Sequence, residues 1–189
     1  MTLHLIQPRE LFGPDERQAE LTEVWRLNDA LFDRITVPHG RPTFEELFSL
    51  CRPDAINVIA NSDIYFDHTL ADHAHTLDTD EVWALSRWDD HGTTLLPYHR
   101  PDSQDAWIVH GGPHTVTAPY PMGVPGCDNA LAYDLVQRGW HVTNPCSKVK
   151  AIHLHRVKWR SYLADPAGLK HPANKVERVP QPYHMVHPC

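Results

Sequence analysis

The sequence predicts one α/β domain on a mostly parallel central sheet flanked by helices, followed by an irregular C-terminal tail. Three observations predict it. The chain has 189 residues, 41% apolar and 22% charged, which suits one domain with a buried core and excludes a disordered chain. Strand, helix, strand, helix and strand patterns alternate within the first 65 residues. Ala55-Ile56-Asn57-Val58-Ile59-Ala60 is a nearly continuous apolar run, as in a strand covered on both faces.

Each element has its own signal. Leu3-His4-Leu5-Ile6 is a short apolar run closed by Pro8, and reads as the first strand. Pro14-Asp15-Glu16 opens an amphipathic helix over residues 17–34, with Leu21, Val24, Trp25, Asn28, Leu31 and Phe32 at helical spacing. Ile35-Thr36-Val37 is a β-branched run stopped by Pro38 and Gly40. Thr43 begins a second helix over residues 43–48, and the Thr43/Glu46 spacing is that of a capping box. The strand at residues 55–60 comes next. Residues 82–86 and 106–109 read as two more strands, residues 128–139 as a helix closed by Gly139, and residues 140–143 and 149–155 as strands. The domain is expected over residues 1–165. Residues 166–189, rich in Pro, His and Lys, are expected to form a tail over the surface.

The net charge of −7 with neutral His argues against tight nonspecific nucleic-acid binding. Lys148, Lys150, Arg156, Lys158 and Arg160 form a local basic cluster, read as a phosphate-facing or solvated edge. Cys51, Cys127, Cys146 and Cys189 form no C-x-x-C pair and are read as free thiols. No run is long and apolar enough to span a membrane, and the first residues do not resemble a signal peptide, so a cytoplasmic location is expected.

Four short motifs carry candidate chemistry. Asn61-Ser62-Asp63 follows the buried strand, where ligands bind in open α/β sheets. Asp63, with Asp67, can offer oxygen ligands to Mg²⁺ or Mn²⁺, or can simply form a turn. Asp102-Ser103-Gln104-Asp105 precedes a strand and can bind sugar hydroxyls through Asp105 and Gln104, or can be a polar loop. Gly123-Val124-Pro125-Gly126-Cys127-Asp128-Asn129 puts Asp128 at a helix start, where the dipole favours its ionised form; it is a cap or a general base. His153 and His155 share one face of a strand and can offer an imidazole to a metal, or can be partly buried histidines with local partners. Cys127, Cys146, His153 and His155 match no familiar zinc spacing.

The order of these pieces resembles the GT-A class of nucleotide-sugar glycosyltransferases. Asn61-Ser62-Asp63-Ile64-Tyr65-Phe66-Asp67, Ala84-Leu85-Ser86-Arg87-Trp88, Ser103-Gln104-Asp105-Ala106-Trp107-Ile108 and Gly126-Cys127-Asp128-Asn129 carry the resemblance, which spans residues 3–162. It implies a nucleotide-binding β/α half, with Asn61-Ser62-Asp63 as a D-x-D-type motif whose first Asp is Asn. It implies Mn²⁺ or Mg²⁺ on Asp63 with His153 or His155, and a nucleotide-sugar donor, a UDP-sugar foremost. Arg17, Asn61, Ser62, Arg87 and Gln104 would contact the donor, with Trp88 as a stacking face and Glu20 belonging to the same pattern. Asp128 would be the catalytic base, with Asp105 binding sugar hydroxyls and standing as the alternative base, and a base opposite the leaving group would imply inversion. The chain is short for the class, so the acceptor-binding part is minimal or comes from another subunit of a homo-oligomer. The acceptor is left open: glycan, protein, small molecule or modified base. A metal-dependent nucleotide-sugar or phosphoester hydrolase, and a non-catalytic sugar-binding module, are the rival readings.

Overall fold

The computed structural model describes residues 1–98, 100–157, 159, 179–180 and 182–188. The expected boundary at residues 165/166 lies outside them. Along the chain run β1 (Thr2–Ile6), α1 (Asp15–Leu31), β2 (Arg34–Thr36), α2 (Phe44–Ser49), β3 (Ala55–Ala60), β4 (Ile64–Phe66) and α3 (His68–His73). Then come β5 (Glu81–Leu85), β6 (Arg87–Asp90), β7 (Leu95–Pro97), β8 (Ala106–His110), α4 (Cys127–Gln137), β9 (His141–Thr143) and β10 (Ala151–His153).

The central sheet has the order β2-β1-β3-β8-β5-β9. β8 is antiparallel to both its neighbours, and every other pairing is parallel. The sheet is therefore mostly parallel, with one reversed strand at its centre. β3 alternates Ile56, Val58 and Ala60 toward one core and Ile59 toward the other, and all of its residues are buried. One core packs α2 and α4 against the sheet through Phe44, Leu47, Phe48, Leu131 and Trp107. The other packs Phe32, Leu70, Trp83 and Ile108 on the opposite face. Asn57, the one polar residue in β3, is satisfied: its amide donates to the Gly111 carbonyl at 2.8 Å, and its Oδ1 accepts from Arg52 N–H at 2.8 Å. Thr43 and Glu46 do form the capping box of α2.

A second sheet, β4-β10-β6-β7, lies beside the first. The sequence pattern did not predict β4, β6 or β7. Ile-Tyr-Phe, Arg-Trp-Asp-Asp and Leu-Leu-Pro are too short for a period, and pairing with β10 and with each other makes them strands. β10 is also shorter than the expected residues 149–155, so His155 lies past its end. The expected tail contributes to the main core: Val179 and Val186 are buried in the same cluster as Phe44 and Leu131.

Candidate functional site

Three chain segments meet at one edge of the central sheet. β3 ends at Ala60 and delivers Asn61, Ser62 and Asp63, while β5 ends at Leu85 and delivers Ser86 and Arg87. Because β8 runs the other way, the residue before it, Asp105, lands at the same edge. Its carbonyl accepts from Asn61 N–H at 3.1 Å, and its own N–H donates to the Leu85 carbonyl at 2.9 Å. The reversed strand thus brings the Asp102–Asp105 loop to the carboxyl ends of the parallel strands, where such sheets bind ligands.

The side chains close a ring. The Asn61 amide donates to Asp105 Oδ1 at 3.0 Å, and Arg87 bridges Asp105 at 3.3 Å and Asp89 at 2.8 Å. Asp89 receives His153 Nδ1 at 3.0 Å, and His153 Nε2 faces Asp63 Oδ2 at 3.1 Å. Asp63 returns to Asn61 along the chain. Asp89 was not singled out from the sequence. The available signal was period two within β6, which puts Arg87 and Asp89 on one face and Trp88 and Asp90 on the other. Trp88 accordingly points away: its Nε1 donates to the Cys146 carbonyl at 2.8 Å. Tyr98 was also missed; Arg87 stacks on its ring at 3.9 Å.

Asp63, His153 and His155 place ligating atoms within 4.8 Å of one another, and theirs is the one such group among the described residues. Burial alone would raise the Asp63 carboxyl. The charge and hydrogen bond of His153, with His155 and Arg17, overcome it and hold the carboxyl well below the ordinary carboxylate range. His153 is buried, which alone would lower it, but the Asp63 charge and its bonds to Asp63 and Asp89 push it up to about 9. His153 is therefore an imidazolium clasped between two carboxylates.

His155 is placed differently. Its Nε2 donates to the Trp159 carbonyl at 2.5 Å, so in the neutral ring the lone pair sits on Nδ1. That Nδ1 is buried without a hydrogen-bond partner, 3.8 Å from Asp63 Oδ2. Asp63 Oδ2 is engaged by Arg17 and His153, so the lone pair on His155 Nδ1 is the unspent ligand atom beside the carboxylate. The residues present fit a divalent ion held by Asp63 and His155.

Arg17 is fully buried, and its guanidinium donates to Asp63 Oδ2 at 2.6 Å and to the Leu154 carbonyl at 2.6 Å. It supports the carboxylate from below instead of reaching a ligand. Glu20 accepts from Arg17 at 2.9 Å, and its other oxygen accepts the N–H groups of Arg156 and Val157 at 2.9 and 3.0 Å. It thereby holds the turn that carries His155. Ser62 points elsewhere and lines a cleft of about 310 Å³ with Pro8 and Phe12 after β1, Gly40 and Arg41 after β2, and Met122. Gln104 is buried in its loop, its amide donating to the Pro101 carbonyl at 3.1 Å and its Oε1 unpartnered. Asp67 caps α3 by accepting from Thr69 N–H at 3.0 Å, so the turn reading holds for it.

Asp128 is the second residue of α4, whose N-cap is Gly126 at φ 84°. It is half-buried, and its Oδ1 accepts from the Cys127 thiol at 3.3 Å. The helix start was expected to keep it ionised. Burial, with the charge of Asp105, instead pushes it up to about 8. Desolvation and a like charge outweigh one turn of helix dipole.

Cys127 and Cys146 lie in the two different cores, which separates them across the sheet and breaks up any Cys–His zinc set. The basic cluster is partly neutralised: Arg156 grips both oxygens of Asp90 at 2.8 and 2.9 Å, and Lys150 lies over the Trp88 ring at 5.3 Å. Lys158 and Arg160 lie outside the described residues. No described helix is long and apolar enough to cross a membrane. No protein-family model, curated protein or solved structure matches this chain.

Proposed function

We propose that this chain is a metal-dependent glycosyltransferase that moves a sugar from a nucleotide-sugar to an acceptor hydroxyl. One observation carries the reading. At the ligand edge of the sheet, the metal-ligating group Asp63, His153 and His155 is linked through His153, Asp89 and Arg87 to Asp105, and the Asp105 charge acts on a carboxyl, Asp128, raised into the range of a working base. The cleft at Ser62 fits the same reading. It lies over the ends of β1, β2 and β3, where a nucleotide is expected.

Asp63 and His155 would hold the ion, and the mixed oxygen and imidazole set suits Mn²⁺ better than Mg²⁺. When bound, the ion would neutralise charge on the departing diphosphate. Arg87 and Asn61 orient Asp105 toward the donor's hydroxyls. Asp128 would take the proton of the acceptor hydroxyl in its ionised form, whose share grows as pH approaches about 8. A base acting opposite the leaving group inverts the anomeric carbon. The donor's identity, the acceptor, a cytoplasmic location and self-association belong to the same proposal.

The test is calorimetry with UDP- and GDP-sugars, with and without Mn²⁺, followed by product analysis. Metal-dependent donor binding with sugar appearing on an added acceptor supports the reading. Full-rate release of free sugar without acceptor makes the chain a hydrolase. Absence of metal-dependent nucleotide binding makes it a non-catalytic module.

A further inference from the structure

The C-terminal segment has no part in that reaction, yet it touches both loops that bear the reacting carboxylates. Val179 N–H donates to the Pro125 carbonyl at 3.1 Å and His184 N–H to the Asn129 carbonyl at 2.9 Å, on either side of Asp128. Val186 N–H donates to the Pro101 carbonyl at 3.0 Å, on the loop that ends at Asp105. The Val186 carbonyl in turn accepts from the Asn144 amide at 3.2 Å, and that amide also reaches Ser86 Oγ at 2.9 Å, beneath the same loop. Val179 and Val186 are buried in the core that α4 packs against. Tyr183 lies so close over Gly126 that a Cβ there would come within 2.6 Å of its hydroxyl oxygen.

The loops that end at Asp105 and open at Asp128 are bonded to one and the same segment, and the Asp105 charge acts on the Asp128 carboxyl, so what holds the two loops also sets how strongly the two carboxylates repel. We propose that residues 179–180 and 182–186 are a positioning strap that, by bonding to both loops, sets the separation of Asp105 and Asp128. The inference rests on Asp128 being the base. Among the described residues, none of the strap lines the cleft at Ser62 or bonds to Asp63, so it acts on the transfer half of the site and leaves the donor half alone. Val179, His184 and Val186 bond to the two loops through backbone N–H groups, so the side chain at position 184 matters less than the presence of an amide proton.

Two full-chain variants test it: Tyr183→Ala, which removes the ring over Gly126, and His184→Pro, which removes the N–H bonded to Asn129. In both, the Asp128 carboxyl, followed by ¹³C NMR titration, should drop by a unit or more from its value of about 8 as water enters and Asp105 moves away. Transfer kcat should fall about 10–100-fold, the cost of small misplacement, with the donor KM unchanged. An unmoved Asp128 midpoint in a folded variant overturns the strap. Hydrogen exchange on the unaltered protein gives a second arm that needs no variant. The amides of Val179, His184 and Val186 should be protected as strongly as those of α4, and free exchange there also overturns it. Neither the titration nor the exchange requires turnover, so they separate failure of the strap from failure of the glycosyltransferase reading.

Discussion

The Asn61 side-chain amide donates to Asp105 Oδ1 at 3.0 Å, across the junction between the end of β3 and the start of β8. Asn61 stands where a D-x-D motif would have its first carboxylate. A carboxylate there would face Asp105 directly, whereas the amide supplies a donor. The Asn fits the site's charge balance and need not mark a decayed motif.

Asn61→Asp should therefore not strengthen Mn²⁺ binding. It should destabilise the fold at neutral pH by about 1–3 kcal/mol, the cost of a lost buried partner plus repulsion, with partial recovery toward acid pH. Denaturant titration at two pH values and Mn²⁺ calorimetry check this. Tighter metal binding at unchanged stability contradicts the role given to Asn61.

Asp63 has two duties, so its variants have to be chosen with care. Asp63→Ala removes one of the two carboxylates that pair with the buried Arg17 guanidinium and should cost about 3 kcal/mol, confusing folding with binding. Asp63→Asn keeps an oxygen toward Arg17 and should fold. It should lose metal-dependent nucleotide binding, and so should His155→Ala. Retained Mn²⁺ dependence in both would remove the ion from the site.

Asp128→Asn keeps the carbonyl oxygen that receives the Cys127 thiol but abolishes basicity. Transfer should fall about 10²–10⁴-fold. The stability sign is also set. The native carboxyl at about 8 holds its proton where the unfolded one at 3.8 has released it. That group's contribution is complete below pH 3.8 and is lost as pH rises to about 8, by at most about 1.4 kcal/mol per pH unit. The Asn variant should lack this decline and be the more stable protein at pH 8. Thermal melts across that range would show whether the two curves diverge.

Glu20 ties α1 to the turn bearing His155 through two backbone N–H groups and Arg17. Glu20→Gln keeps an acceptor oxygen, and Glu20→Ala keeps none. Mn²⁺ affinity should drop about 10–100-fold in the Ala variant and largely recover in the Gln variant. Equal affinities in the two would mean that the turn holds itself.

Short-range physics explains what was legible in the sequence. The apolar run of β3, the capping box of α2 and the helical spacing of Leu21, Val24 and Asn28 each follow from neighbours within a few residues, so one chain of letters suffices. The same logic placed Asn61-Ser62-Asp63 after a buried strand and paired His153 with His155.

Contacts between segments far apart along the chain decided the rest. The reversal of β8 turned Asp105 toward Asn61, a partner 44 residues away. Pairing with β10 made a strand of Arg87–Asp90 and brought Asp89 to His153, 64 residues away. Only that packing separates the two histidines, one clasped as a cation and one with an unpartnered nitrogen facing Asp63. Only burial beside Asp105 turned Asp128 from an ordinary helix-start acid into a carboxyl near 8. Sequence by itself determined which ionisable groups this protein has and placed Asp63 after the buried strand and Asp128 at a helix start. Tertiary structure decided their protonation, because desolvation and charge–charge energies depend on distances that the chain sets only when it folds.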